Sequence, residues 1–195
     1  MLEVEEFRKA SYDIDPIYVN RWSPRSFLDK DVSDDILYSI FEAARWAPSA
    51  ANKQPWRFII ARNQADREKF LTFINEGNVA WCKKAPVLVA LLSKTDNEDG
   101  GANPTHAFDT GTAWGFLALE AFRKGLITHA MGGFDREKAK QVLNIPENYT
   151  VQAIVALGYK GEKDALADPY RDREKPSTRK DLQELLFEGS FKGNK

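Results

Sequence analysis

Three groups of residues in this chain have types and spacings suited to holding a small phosphorylated ligand. Arg21, Ser23 and Arg25 lie in the segment RWSPRSF, where a helical turn or tight loop would gather two guanidinium forks and a hydroxyl around one phosphate. The competing reading is a solvated basic turn. Asn52 and Gln54, within the stretch from Pro48 to Trp56, each carry a donor and an acceptor, as recognition of chain hydroxyls or a ring carbonyl requires. Their ordinary alternative is to cap a turn. Gly132 and Gly133 permit close backbone approach and unusual dihedrals, so an amide there could meet a ligand with no side chain intervening. A simple turn is the plain alternative.

Other chemistries lack their signatures. The sequence contains no G-x-S-x-G elbow, no G-x-x-x-x-G-K-[ST] loop and no G-x-G-x-x-G fingerprint. His106 and His129 are linked by no glutamate motif, which favours exposed or hydrogen-bonded histidines over a metal ligand or base; His129 stands out only for lying three residues before Gly132. The single cysteine, Cys82, excludes an intramolecular disulfide and leaves too few soft ligands for structural zinc. Lys83 and Lys84 could lower its pKa, but an inert buried thiol is the preferred reading.

Composition narrows the partners. With 28 basic and 29 acidic residues the net charge is -1, so neither nucleic acid nor an anionic membrane is an expected partner. No stretch approaches the roughly 20 apolar residues of a membrane span, and the opening MLEVEEFRKASYDIDP is charged, so a cytoplasmic location is expected. At 195 residues and 43% hydrophobic content, one domain covering 1-195 is expected.

The elements that must position these groups read as follows. Ser33 can cap a helix carrying Ile36, Leu37, Ile40, Phe41, Ala44 and Ala47 at helical spacing, and Pro48 ends it. Trp46 and Trp56 are expected in the core. Phe58 to Ala61 reads as a short strand, and Asn63 offers a cap for a helix burying Phe70, Phe73 and Ile74. Pro86 to Leu92 is a run of apolar residues that suits a central strand buried on both faces. Ser93 to His106 reads as a long polar loop. From about Thr105 to Lys124 the pattern is helical and apolar nearly all round, and Gly111 and Gly115 permit close helix contact. That helix should be buried, by the sheet or by another subunit. An extended LITHAMGGFD segment, a helix from about Asp135 to Leu143 and a strand from Val151 to Leu157 follow. Beyond Gly161 the tail is charged, with Leu182, Leu185, Leu186 and Phe187 as apolar anchors. Strands interleaved with helices indicate an α+β or α/β architecture.

Two of these stretches carry a family resemblance. Arg21, Ser23 and Arg25 match the Arg-x-Ser-x-Arg/Lys segment of the FMN-dependent nitroreductase family, and Pro48, Ser49, Asn52, Gln54, Pro55 and Trp56 match its Pro-Ser-x-x-Asn-x-Gln-Pro-Trp loop. Met131-Gly132-Gly133-Phe134-Asp135 resembles the family's Glu/Ala-Gly-Phe-Asp segment, with Gly132 standing where some members carry glutamate. Arg179 matches a basic residue used on the phosphate, Lys180 is a weaker match, and Asn78 aligns with an asparagine near the flavin ring.

The resemblance implies an α+β fold with a mixed sheet flanked by helices, an intertwined homodimer, and a tail from about 161 to 195 packed on the partner subunit. It implies FMN at the subunit interface, contacted by Arg21, Trp22, Ser23, Arg25, Ser49, Asn52, Gln54, Met131, Gly132, Gly133 and Arg179. The implied reaction is ping-pong: NAD(P)H reduces flavin N5, then a nitroaromatic, quinone or similar small acceptor is reduced, with no side chain named as acid or base. Other members carry out reductive dehalogenation or flavin destruction, and the Ser93 to His106 loop is where such selectivity is expected. A flavin-binding carrier or regulator without turnover is the rival reading. A structural dimer that has lost its cofactor is disfavoured by the joint presence of Arg21, Ser23, Arg25, Asn52, Gln54 and Arg179.

Overall fold

The computed structural model describes residues 4–191; the parts of the expected domain and tail at 1–3 and 192–195 lie outside the described residues. In chain order it has α1 (Pro16–Asn20), α2 (Asp34–Arg45), β1 (Trp56–Ala61), α3 (Gln64–Leu71), α4 (Glu76–Cys82), β2 (Val87–Lys94), α5 (His106–Arg123), β3 (Ile127–Met131), α6 (Arg136–Val142), β4 (Tyr149–Gly158) and α7 (Asp168–Arg171). The architecture is α+β. The four strands order β1-β2-β4-β3.

The sheet differs from the expected mixed one, because all three pairings are antiparallel. β2 and β3 do run in the same direction, but β4 lies between them, so among the described residues no parallel neighbours arise. Register alternation divides the apolar runs between two cores. Val87, Val89 and Leu91 face the layer of α2 and α5, packing with Ile40, Leu117 and Ala121. Leu88, Ala90 and Leu92 face the opposite layer, packing with Phe70, Trp81, Phe134 and Ala139. Two-sided burial explains why β2 reads as an unbroken apolar run.

Local signals fix the ends of several helices. Asn63 accepts the Asp66 N–H at 2.8 Å, and Asp135 accepts the Lys138 N–H at 3.0 Å, each satisfying a donor of the first turn. Ser33 does occupy the N-cap of α2, yet its side chain makes no capping bond.

α5 is buried on one side only. Ala113, Leu117 and Ala121 are in the core, whereas Phe108 is 78% and Phe116 41% exposed, and a Cβ placed on Gly111 or Gly115 would meet nothing within 4 Å. Trp46 also departs from expectation. It is 69% exposed because it lies off the buried stripe of Leu37, Ile40, Ala44 and Ala47; its indole N–H turns back to Glu42 Oε1 at 2.8 Å. The tail anchors Leu182, Leu185, Leu186 and Phe187 are exposed as well.

Candidate cofactor site

Arg21, Trp22, Ser23 and Arg25 meet Arg179 around a cavity of about 290 Å³. Arg8, His129, Arg173, Lys175 and Ser177 complete its lining, which makes six cationic side chains on one small space. Four segments of the chain reach it: the stretch before α1, the loop after α1, β3, and the segment after α7. Arg8 ties two of them together, donating from Nη1 to Val19 O at 3.0 Å and Arg21 O at 2.7 Å, and from Nε to Ser177 O at 2.7 Å.

The electrostatics show a site short of negative charge. Burial, then the nearby Arg179 guanidinium, hold the Arg21 pKa below its ordinary value. Arg8 is lowered by burial, then by Arg179 and Arg21. His129 is pushed down to about 4, first by burial and then by Arg25, so its imidazole is neutral at pH 7. Its Nδ1 stands 3.1 Å from Pro24 O, and because a carbonyl only accepts, Nδ1 carries the proton. The Trp81 ring lies against the imidazole, with centroids 4.5 Å apart, and the Arg25 guanidinium sits 6.0 Å from the same indole. Like charges gathered in a partly desolvated pocket are stabilised by an anion, and guanidinium forks match phosphate geometry.

β3 connects this cavity to the glycine turn. His129 lies on the strand and Gly132 follows three residues on, about 10 Å at the rise of extended chain. Gly133 O accepts from Asn75 N at 3.1 Å and from Asn78 Nδ2 at 3.2 Å, so Asn78 belongs to this turn. Neither glycine has positive φ, so dihedral freedom does not explain them, and within the chain only Gly133 is needed for space. A Cβ on Gly133 would come within 2.8 Å of Asn78 Nδ2, whereas one on Gly132 would meet nothing within 4 Å. Met131 is buried in the core, which leaves only its backbone to face a ligand.

Ser49, Asn52 and Gln54 are not brought to the cationic cavity within the chain. Asn52 and Gln54 line a separate polar cavity of about 540 Å³ with Lys94, Asp96 and Asn103. Their side chains close their own turn: Ser49 Oγ accepts Gln54 N at 3.0 Å, and Gln54 Nε2 donates to Asn52 Oδ1 at 3.0 Å. The loop is strained, with φ of 48°, 54° and 48° at Ala51, Asn52 and Gln54, on the order of 1 kcal/mol for each non-glycine residue. Asp109, buried at the start of α5, holds it by accepting Ala50 N at 3.3 Å.

Ser93, His106 and Cys82 are held away from such chemistry. Gln152 Nε2 donates to Ser93 Oγ at 2.7 Å, leaving the hydroxyl proton for His106 Nδ1, also at 2.7 Å; Ser93 is fully buried and no substrate reaches it. Burial pushes the Cys82 thiol up to about 12. Sequence reading missed Arg8, Arg173, Lys175 and Ser177, which no local motif marks.

A sequence model described as the Nitroreductase family matches residues 18–80 and 72–159, spanning the loop that bears Arg21, Ser23 and Arg25, the strained loop and the glycine turn. The chain belongs to the nitroreductase family. A relative from Archaeoglobus fulgidus, provisionally named an NADH dehydrogenase/NAD(P)H nitroreductase, is 33% identical over 156 residues, covering 76% of this chain and 86% of its own. An NADH dehydrogenase of Thermus thermophilus is 30% identical over 179 residues, covering 74% of this chain and 85% of that one. A solved structure described as an oxidoreductase containing FMN superposes with a TM-score of 0.92 at 39% identity, covering 96% of this chain and 97% of its own. As a nitroreductase-family member the protein is an oxidoreductase of an FMN-dependent class. No helix among its described residues is long and apolar enough to cross a membrane.

Proposed function

We propose that the protein is an NAD(P)H-dependent FMN oxidoreductase whose cationic cavity holds the FMN phosphate. The observation that carries this reading is the convergence of six cationic side chains on a cavity of about 290 Å³, in which burial and then neighbouring guanidiniums hold Arg21 and Arg8 below their ordinary proton affinity. Arg21, Arg25 and Arg179 would clamp the phosphate with Ser23 as hydroxyl donor. The Gly132 amide, at the end of β3, would face the flavin N5 with no side chain in the way. The chemistry FMN supplies when bound is hydride transfer from NAD(P)H to a nitroaromatic, quinone or similar small acceptor in two half-reactions. No residue of the site is assigned a proton-transfer role, since His129 is neutral and committed to Pro24 O.

The working unit in this reading is a homodimer. Trp46, Phe108 and Phe116 are exposed large apolar groups, and Gly111 and Gly115 leave a shallow stripe on α5 that another helix could approach closely. A second subunit would cover that face and carry its own Asn52 and Gln54 to the site, which accounts for a strained loop lying away from the cavity of its own chain. The tail beyond Gly161, with exposed Leu185, Leu186 and Phe187, would pack on that partner.

The test is anaerobic: the FMN-loaded protein is mixed with NADH or NADPH, and then with a quinone or nitroaromatic. The reading expects loss of the oxidised flavin absorbance and its return on adding acceptor. Retained absorbance with either nicotinamide would favour a flavin-binding carrier.

A further inference from the structure

Glu174 is 1% exposed, and its carboxylate faces backbone rather than any of the six cations beside it. Oε1 accepts Arg25 N at 2.9 Å and Ser26 N at 3.0 Å, and Oε2 accepts Arg25 N at 3.0 Å. No ion pair forms at Glu174 among the described residues. A buried carboxylate is costly unless well hydrogen-bonded, and cations stand on either side of it in sequence, at Arg173 and Lys175. Pairing with one of them would neutralise a cavity that collects positive charge. Bonding to amides leaves the guanidiniums of the cavity without a carboxylate partner.

The surrounding bonds show what those amides control. Pro24 O is held by His129 Nδ1 at 3.1 Å, Ser26 O accepts Gly161 N at 2.8 Å, and Ser26 Oγ donates to Glu162 O at 2.6 Å. Arg8 holds Arg21 O at 2.7 Å. The loop bearing Arg21, Ser23 and Arg25 is thus pinned at successive backbone atoms, and Glu174 is the pin that also carries Arg173 and Lys175 to the cavity. Rigid backbone reduces the ordering cost of closing several donors on one phosphate.

We infer that Glu174 is a positioning residue for the phosphate clamp, locking the Arg21–Ser26 loop to the segment that bears Arg173, Lys175 and Arg179. It acts through the amides of Arg25 and Ser26 and touches no ligand. The inference rests on the reading of the cavity as the FMN phosphate site.

The experiment is fluorescence titration of folded wild-type protein, E174A, E174Q and E174D with FMN and with riboflavin, which lacks the phosphate. E174A should bind FMN more weakly by about tenfold or more while riboflavin affinity moves by less than about threefold. E174Q should return to near wild type, because one amide oxygen can accept both N–H groups as Oε1 does. E174D, which keeps the charge but withdraws it by one methylene, should resemble E174A and stands in for it if E174A does not fold. A merely structural role would lower stability and leave the ratio of FMN to riboflavin affinity unchanged; that ratio in E174A or E174D overturns the inference, as does loss of FMN binding in folded E174Q. Wild-type protein with no preference for FMN would instead bring down the phosphate-site reading, and the inference with it.

Discussion

Arg179 stands close enough to Arg21 to depress its proton affinity, although the two enter the cavity from opposite ends of the chain. Two like charges held together in a half-buried place are a liability until an anion arrives. Replacing Arg179 by Gln should therefore leave the ligand-free protein as stable as wild type or slightly more so. FMN affinity should fall by about 10- to 100-fold, the loss of one charge-assisted contact, with riboflavin affinity nearly unchanged. Chemical denaturation and paired titrations would show it; lower ligand-free stability with intact FMN binding would place the phosphate elsewhere.

His129 supplies a pH signature. Its folded pKa of about 4 lies below the ordinary 6.5, so between those values the unfolded chain binds a proton that the folded chain refuses. Stability consequently falls as pH drops from about 6.5 to about 4 and levels off below, by on the order of 3 kcal/mol in all. Urea unfolding across that window should show the slope in wild type and a shallower one in H129N. Bound FMN should lessen the slope, because a neighbouring phosphate favours the imidazolium.

The two glycines of the turn should separate space from function. Gly133→Ala forces Asn78 from its bond to Gly133 O and should cost about 1 kcal/mol of stability. Gly132→Ala meets open space within the chain, so stability should hold while FMN affinity falls. Thermal melts with and without FMN distinguish the two.

The exposed stripe of α5 gives an assembly prediction. Gly115 has nothing within 4 Å of an added Cβ, so Gly115→Leu should stabilise a lone chain by up to about 1 kcal/mol through helix propensity. If α5 packs on a second copy, the same substitution should shift sedimentation toward monomer and weaken FMN binding. Unchanged sedimentation would remove α5 from any interface.

Much of this was legible in the sequence wherever the signal is local. The two-faced burial of β2 follows from its unbroken apolar run, and the Asn63 and Asp135 caps fall where their types require. α4 was missed because a seven-residue helix containing Gly77 and opening on Glu76 shows too few turns for a period. Arg21, Ser23, Arg25 and Arg179 were legible through resemblance, whereas Arg8, Arg173, Lys175 and Glu174 join them only through tertiary contacts that leave no spacing to read. Trp46, expected in the core, and Phe108, on a helix expected to be buried by the sheet or by another subunit, are both exposed, since apolar type does not say whether the covering surface belongs to the same chain.

The central claim, that the cationic cavity binds the phosphate of FMN, is tested most directly by calorimetric titration of the wild-type protein with FMN and riboflavin at two salt concentrations. FMN should bind tighter than riboflavin by about 100-fold or more at low salt, several charge-assisted contacts together, and the gap should narrow as salt rises. Equal affinities, insensitive to salt, would contradict it.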